Sequence, residues 1–223
     1  MIEVGFYVLS AFMLFTPWFV LFRKQPGTPA RTYALIAVLW VTYTIGLSAS
    51  GVLHSFAAPP RVPLLLVIPV LLFVLWITGR SRIKERLLAI ANHTLVFVQA
   101  FRILVELLIY GAFLNGVYPV TATFEGINYD ILVGVSALIM GLLVMRKIVG
   151  LTGILIWNGL SLIILTLTVY SFISTYYFTD FVARTGSNKF VEVPYVFLPG
   201  ILLPFAVFYH VLSIRQQLMK RRN

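Results

Sequence analysis

Seven long apolar segments constrain this sequence more than any other feature. A chain needs about 20 consecutive, mostly apolar residues to cross a hydrocarbon core of roughly 30 Å. Inside hydrocarbon every backbone N–H and C=O group needs a partner within the protein, so each segment is predicted to be a helix. The predicted spans are residues 4–22, 33–53, 62–78, 94–118, 130–145, 151–174 and 195–213.

The composition excludes several classes of protein. Hydrophobic residues make up 60% of the 223 residues and charged residues 11%, whereas a soluble domain carries roughly 25% charge. A soluble enzyme, a nucleic-acid-binding domain, a disordered chain and a disulfide scaffold are therefore excluded. Cysteine is absent, which removes disulfides, thiolate nucleophiles and cysteine-ligated metals. The sequence predicts one all-α transmembrane domain over residues 1–223, a polytopic bundle of seven helices.

The distribution of Lys and Arg predicts the orientation of the chain. Thirteen of the 17 basic residues fall in alternate connections and the carboxyl-terminal tail: Arg23, Lys24, Arg31, Arg80, Arg82, Lys84, Arg86, Arg146, Lys147, Arg215, Lys220, Arg221 and Arg222. The other connections contain only Arg61, Arg184 and Lys189. Because cytoplasmic loops are enriched in basic residues, we expect the amino terminus outside the cell and the carboxyl terminus in the cytoplasm.

The net charge of +10 lies mainly in short loops, where it would meet anionic lipid head groups. We therefore expect membrane lipids as partners and no nucleic acid, while protein partners or a homo-oligomer stay open.

The segment 80–93 mixes basic and apolar residues. It is compatible with a short helix on the inner membrane surface or with the first turns of the fourth span.

Ionisable side chains at membrane depth are the first candidates for a functional site, because each costs at least about 2.5–3.5 kcal/mol at mid-bilayer. Arg102 and Glu106 lie four residues apart in the fourth span and so share one helix face. We expect them to neutralise each other, either as a substrate or proton site or as a structural ion pair. Asn158 lies near the depth of Arg102, and His210 lies close to the inner surface; both are further candidates for the site. The favoured alternative for Asn158 is a hydrogen bond between helices, and that for His210 is a hydrogen-bonding role at the interface.

The loop before the fifth span carries a second group of polar residues. Glu125, Asn128 and Asp130 offer oxygen atoms within six residues, which suggests a site for a cation or polar ligand. The favoured alternative is that Asn128 or Asp130 caps the fifth helix.

The histidines do not predict a metal site. His54, His93 and His210 fall at different depths, which argues against a three-histidine zinc site. His93 and His210 both lie toward the inner face, so the geometry would allow a two-histidine haem site. Nothing else in the sequence supports such a site. We predict no cofactor and no bound metal.

Proline and small residues predict distortion and close packing within the spans. Pro194, Pro199 and Pro204 follow one another at intervals of five, and each removes a backbone donor and can bend the last helix. Ala137 and Gly141 are one of several small pairs spaced by four, which favour close approach of helices.

Three stretches resemble a known family. They are residues 99–137, containing FRILVE and TFEGINYDILVG, residues 157–160 (WNGL), and residues 193–215 (VPYVFLPGILLPFAVFYHVLSIR). The chain resembles an uncharacterised family of bacterial seven-helix integral membrane proteins that carries no assigned activity. The resemblance covers about a third of the chain. It implies a multi-pass protein of a bacterial inner membrane and implies no mechanism.

Three functional interpretations follow from the residues. The first is a small transporter or permease with Arg102, Glu106 and Asn158 in an inner polar site. The second is a non-catalytic membrane module, either a sensor or an assembly subunit of a larger complex. The third, an intramembrane enzyme, lacks a nucleophile or metal with a base at common depth, so no catalytic residue is predicted.

Overall fold

The structure, a computed structural model, describes residues 1–23 and 27–221 and all their side chains except those of Thr28, Ser81 and Arg82. Lys24 and Arg222, which belong to the predicted basic segments, lie outside these residues. The described residues contain no strand. They form the helices α1 (Ile2–Phe22), α2 (Thr28–Ala49), α3 (Pro63–Thr78), α4 (Ser81–Leu88), α5 (Asn92–Leu114), α6 (Asp130–Met145), α7 (Leu151–Phe178), α8 (Phe181–Thr185) and α9 (Leu198–Lys220), with short 3₁₀ turns between and within them.

The helices have the length and composition of a membrane-embedded bundle. Five of them, α1, α2, α5, α7 and α9, are long and apolar enough to cross a membrane, whereas α3 and α6 are apolar but shorter. The prediction of an all-helical membrane protein is confirmed, and α6 has the predicted bounds. The fourth predicted span ends early, at Leu114, because the chain turns at Gly116 (φ 71°) and Val117 N donates to Ala112 O at 2.9 Å, closing the helix end.

The segment between α3 and α5 is a separate helix rather than the first turns of α5. Helix α4 ends at Leu88, and α5 begins at Asn92. Ile83 and Leu87 are buried, whereas Lys84 is exposed. This alternation at helical spacing makes α4 amphipathic.

Helix α7 shows how the bundle reverses the polarity of a soluble protein. Its buried face recurs every three or four positions and is mostly polar, with Leu165 between the second and third polar residue: Asn158, Ser161, Thr168, Ser171 and Thr175. Its exposed face is apolar, with Ile156, Leu160, Ile163, Leu167 and Tyr170 each about half exposed or more. A large apolar outer surface over hydrogen-bonded polar groups is the arrangement that hydrocarbon surroundings favour.

Wider, π-helical turns interrupt three helices near prolines. They are Trp18–Phe22 in α1, Pro63–Val67 in α3 and Leu198–Leu202 in α9. The predicted distortion of the last span is therefore confirmed, and it begins at the residue before Pro199. A π-turn arises where the regular hydrogen-bond ladder is broken, as it is at proline.

Side chains of α2 satisfy carbonyl groups that prolines leave without a helical donor. A proline has no N–H, so the carbonyl four residues before it loses its usual bond. Trp40 Nε1 donates to Gly200 O, four residues before Pro204, at 2.7 Å. Tyr43 OH donates to Leu65 O at 3.2 Å, and Leu65 likewise lies four residues before a proline of α3. These bonds attach α2 to α9 and α3.

Helices α5 and α6 approach each other closely along small residues of α6. A Cβ atom on Gly134 would lie 2.7 Å from Ile103 N, and one on Gly141 would lie 2.5 Å from the ring of Phe97. Ala137, between them, is fully buried. The predicted role of Ala137 and Gly141 in close packing is confirmed, and Gly134 extends the contact to the beginning of α6.

Replacing Gly134 by Ala should lower the free energy of unfolding by about 1–3 kcal/mol, because the new methyl group would collide with backbone rather than with a flexible side chain. Gly159→Ala in α7 is the matched control, since a Cβ there has no neighbour within 4 Å; it should be neutral or stabilise by up to about 1 kcal/mol. Unfolding of both variants in mixed detergent micelles measures the difference, and equal effects would refute the close approach.

Candidate functional site

The described residues contain one buried ion pair, between Arg102 of α5 and Asp130 at the first position of α6. Arg102 Nε donates to Asp130 Oδ2 at 2.6 Å, and Nη2 of the guanidinium contacts Oδ1 of the same carboxylate. The two residues are 1% and 4% exposed. This two-point geometry matches the planar guanidinium to the planar carboxylate, which is the strongest form of such a bond.

Arg102 and Glu106, which the sequence predicts to neutralise each other, do not form a direct ion pair. Arg102 takes Asp130 as its ion-pair partner, and Glu106 turns to Asn128 instead. The reason is the close approach of α6 at Gly134, which places the beginning of α6 beside Arg102. Asp130 on the facing helix thus takes the guanidinium, and Glu106, one turn along α5, bonds to Asn128.

His210 and Asn158 extend the ion pair into a hydrogen-bonded chain. Arg102 Nη1 donates to His210 Nε2 at 3.0 Å, and His210 Nδ1 lies 2.7 Å from Asn158 Oδ1. Because arginine can only donate, Nε2 is the acceptor, so the proton of the neutral imidazole is assigned to Nδ1 and is donated to Asn158. Asn158 Nδ2 in turn donates to Ser213 Oγ at 3.0 Å. All these side chains are buried.

Asn128 joins the loop before α6 to the same network. Its Nδ2 donates to Glu106 Oε2 at 2.7 Å, and its Oδ1 accepts from Thr168 Oγ1 at 2.7 Å and from the backbone N–H of Asp130 at 3.0 Å. The predicted side-chain cap of the fifth span, α6 here, is not formed: the N-cap residue is Tyr129 and no side chain caps it, so the last bond closes a turn that precedes the helix. Asp130 begins that helix, but its carboxylate is used by Arg102 rather than by the cap.

The loop candidates and the membrane-depth candidates therefore form one site rather than two. The loop lies against α7, where Ser171 Oγ donates to Thr121 O at 2.7 Å, and both Asn128 and Thr123 are fully buried. Non-helical backbone at membrane depth is tolerated where protein surrounds it. Because the loop folds inward against α7, Asn128 and Asp130 lie at the level of Arg102.

Glu125 does not join the site. Its side chain is exposed and accepts a hydrogen bond from Tyr110 OH at 2.8 Å, away from Asn128 and Asp130. The three oxygen-bearing residues of the loop thus do not converge on a cation. No group of three or more His, Asp or Glu residues within 1–23 and 27–221 has the geometry to hold a metal.

The histidines do not form a shared site among the described residues. His54 lies 3.8 Å from Glu192 in a connection between helices, and His93 packs edge-on against Phe97. Both ring nitrogens of His210 are engaged with Arg102 and Asn158, which leaves neither for a haem iron. The described geometry therefore offers no support for the two-histidine alternative.

A cavity of about 80 Å³ borders the polar network. Arg102, Glu106, Asp130 and Thr168 line one part of it, and apolar residues line the rest. A buried water needs roughly 10–15 Å³ of such volume and two to four polar partners, so the space is too small for most organic solutes, and a water finds partners only in the part lined by the polar side chains. The cavity extends to Tyr177, whose hydroxyl accepts a hydrogen bond from Val62 N at 3.1 Å.

Glu106 differs from Asp130 in how its carboxylate is held. Both oxygens of Asp130 contact Arg102. Oε2 of Glu106 accepts from Asn128, and no described group donates to Oε1. The carboxylate of Glu106 thus lines the cavity with one oxygen engaged and the other available to a proton or a water.

Sequence reasoning missed three residues of this region. Thr168 and Ser213 bond to Asn128 and Asn158, respectively, and Gln99 donates to Ala206 O at 3.0 Å. The available signal for Thr168 was the polar stripe of α7, which continues the face of Asn158 at helical spacing. A comparable signal exists for the other two, because Ser213 lies three residues after His210 and Gln99 three residues before Arg102, at helical spacing in both cases.

Comparisons with protein-family models, with curated proteins and with solved structures found no match to this chain. The resemblance to a bacterial seven-helix family stays a prediction.

Replacing Asn128 by Leu should lower the free energy of unfolding by about 3 kcal/mol or more, since it removes the hydrogen bonds to four buried groups, on Glu106, Ala122, Asp130 and Thr168, and each unpaired group costs about 1–3 kcal/mol. Asn115→Leu is the control, because Asn115 is exposed and its amide bonds only to Gly111 O; its effect should stay below about 1 kcal/mol. Comparable losses in detergent unfolding would show that Asn128 does not join the loop to the site.

Proposed function

We propose that the chain crosses the membrane seven times as a multi-pass protein of a bacterial inner membrane, with its amino terminus outside. Helices α3 and α6 have 16 residues each, or about 24 Å at 1.5 Å per residue. That is short of a roughly 30 Å core, and local thinning of the bilayer accommodates such helices at modest cost. The alternation of basic connections supports this topology, because it requires α3 and α6 to cross.

Single cysteines in this cysteine-free chain distinguish seven crossings from five. With seven, Ala57→Cys should react with a membrane-impermeant maleimide on intact cells, and Lys84→Cys should react only after permeabilisation. If α3 does not cross, both positions lie in one compartment. The pair Tyr129→Cys and Arg146→Cys tests α6 in the same way, and labelling of both members of either pair from one side would contradict the topology.

We further propose that the protein is a proton-carrying permease in which Glu106 binds and releases the proton. The observation that carries the proposal is that Glu106 lines a small internal cavity with one carboxylate oxygen free of protein donors. A carboxylate at membrane depth is costly and marks proton or ion paths in transporters. The size of the cavity favours a proton or water over an organic substrate.

The surroundings of Glu106 supply the fixed parts of such a path. Arg102 and Asp130 neutralise each other, so the charge of Glu106 is free to change without breaking the ion pair. The cavity is also lined by Pro63 and Pro199 from the π-helical turns of α3 and α9. Helices interrupted in this way line binding sites in many transporters. Movement at these turns would open the cavity past Tyr177 and Val62.

A second candidate function is a non-catalytic membrane module, a sensor or an assembly subunit. The chain from Asp130 through Arg102 and His210 to Asn158 is hydrogen-bonded within the protein, and such a network can serve only to fix helix packing. The two candidates differ in what Glu106 does.

Proton flux into liposomes separates them. Full-length protein in phosphatidylethanolamine–phosphatidylglycerol vesicles that contain a pH-sensitive dye should conduct protons under a valinomycin-induced potassium potential. Glu106→Gln keeps the hydrogen bond from Asn128 but loses the ionisable group, so flux should fall at least about tenfold, while Glu125→Gln should conduct like the wild type. Wild-type flux equal to that of protein-free vesicles would refute the permease and favour the module.

A further inference from the structure

A second and much larger cavity, of about 890 Å³, lies beneath α2. It is bounded by α1, α2, α3 and α9, and Ile83 of α4 lies at one end. We name it the α2 cavity. Its volume falls within the range of roughly 300–1,000 Å³ that is typical of ligand sites. It shares no lining residue with the small cavity at Glu106.

The interior of the α2 cavity suits hydrocarbon. Arg80 is its only acidic or basic lining residue, and most of the others are aliphatic or aromatic. The polar groups of three lining aromatics are already engaged with main-chain carbonyls: Tyr33 OH donates to Leu14 O at 2.5 Å, and Trp40 and Tyr43 donate to α9 and α3. A polar solute would therefore find few partners along these walls.

The end of the cavity near α4 is positively charged. Arg80 lines this end of the cavity and is exposed, and its guanidinium carbon lies 4.0 Å from the ring centroid of Trp76, a cation–π contact that restricts the side chain. Arg86 donates to Leu21 O at 3.2 Å, beside the cavity wall. Glu85 is the single acid of α4, so basic groups predominate there.

Helix α2 closes the cavity with little buried surface. In the most apolar part of α2 only 11% of residues are buried, against 61% in α9. Side-chain hydrogen bonds from Tyr33, Trp40, Tyr43 and Ser48 attach it to other segments. Elements with few buried contacts open locally at low free-energy cost, so a membrane molecule can enter sideways beneath α2.

We propose that the α2 cavity binds one anionic glycerophospholipid, with an acyl chain between α2 and α9 and the phosphate at Arg80. A long apolar space with a basic group at one end matches the two parts of such a molecule, and basic residues at membrane surfaces attract anionic lipids. A second copy of the chain is a poorer occupant, because it would bring two basic mouths together. This site is independent of the permease proposal, since neither Glu106 nor its partners take part.

Native mass spectrometry of the full-length protein in mild detergent tests the proposal. With added palmitoyl-oleoyl phosphatidylglycerol we expect one tightly bound lipid, and with the phosphatidylcholine of the same chains about fivefold weaker binding. That ratio corresponds to about 1 kcal/mol for one basic residue near an anionic group. Arg80→Gln should remove the preference between the two lipids, and Ala37→Trp should fill the cavity and remove the tight site.

Two matched variants control for unspecific effects. Ala34→Trp places the same bulk on an exposed position of α2 outside the cavity lining, and Arg146→Gln removes an exposed charge from another connection. Both should bind phosphatidylglycerol like the wild type.

Three results would overturn the proposal. They are equal binding of the two lipids by the wild type, unchanged phosphatidylglycerol binding by Ala37→Trp, and a protein dimer that Ala37→Trp disrupts, which would assign the cavity to a second copy. If Ala37→Trp does not fold, Arg80→Gln alone decides, because a retained lipid preference in that variant contradicts the site.

Discussion

The interaction on which the structure depends is the buried pairing of Arg102 with Asp130. Each charge alone would be costly in a membrane-embedded bundle, and removing one partner of such a pair leaves the other uncompensated. Their two-point contact fixes the beginning of α6 against the middle of α5. The fold can meet this requirement only because Gly134 lets the two backbones approach.

The ion pair also organises the polar groups around it. His210 of α9 accepts a hydrogen bond from the guanidinium of Arg102 and donates one to Asn158 of α7, and Asn128 accepts from Asp130 N and so fixes the preceding loop. Because Asp130 neutralises Arg102, Glu106 is not needed for charge balance with its neighbour one turn away. Asp130 thus has a structural role in the ion pair, and Glu106 is a second acid that lines the small cavity. The proposed proton binding rests on this second acid.

Much of the helical architecture could be predicted from the sequence, because long apolar segments and prolines act locally. Residues 130–145 and the distorted turn at Pro199 are examples. The polar candidates Arg102, Asn158 and His210 were also identifiable, since polar residues at membrane depth are rare. The partner of Arg102 was not, because the choice between Glu106 and Asp130 depends on how closely two helices pack and on a loop that folds inward. The cavity beneath α2 likewise arises from tertiary packing around distorted helices.

A double-mutant cycle on the ion pair tests this account most directly. Arg102→Gln, Asp130→Asn and the double variant would be unfolded in mixed detergent micelles. Each single change should cost about 3–5 kcal/mol, because it leaves a buried charge unpaired, and the double variant should cost at least about 2 kcal/mol less than the sum. Additivity within about 0.5 kcal/mol would show that the two residues do not interact and would contradict the arrangement of α5 and α6.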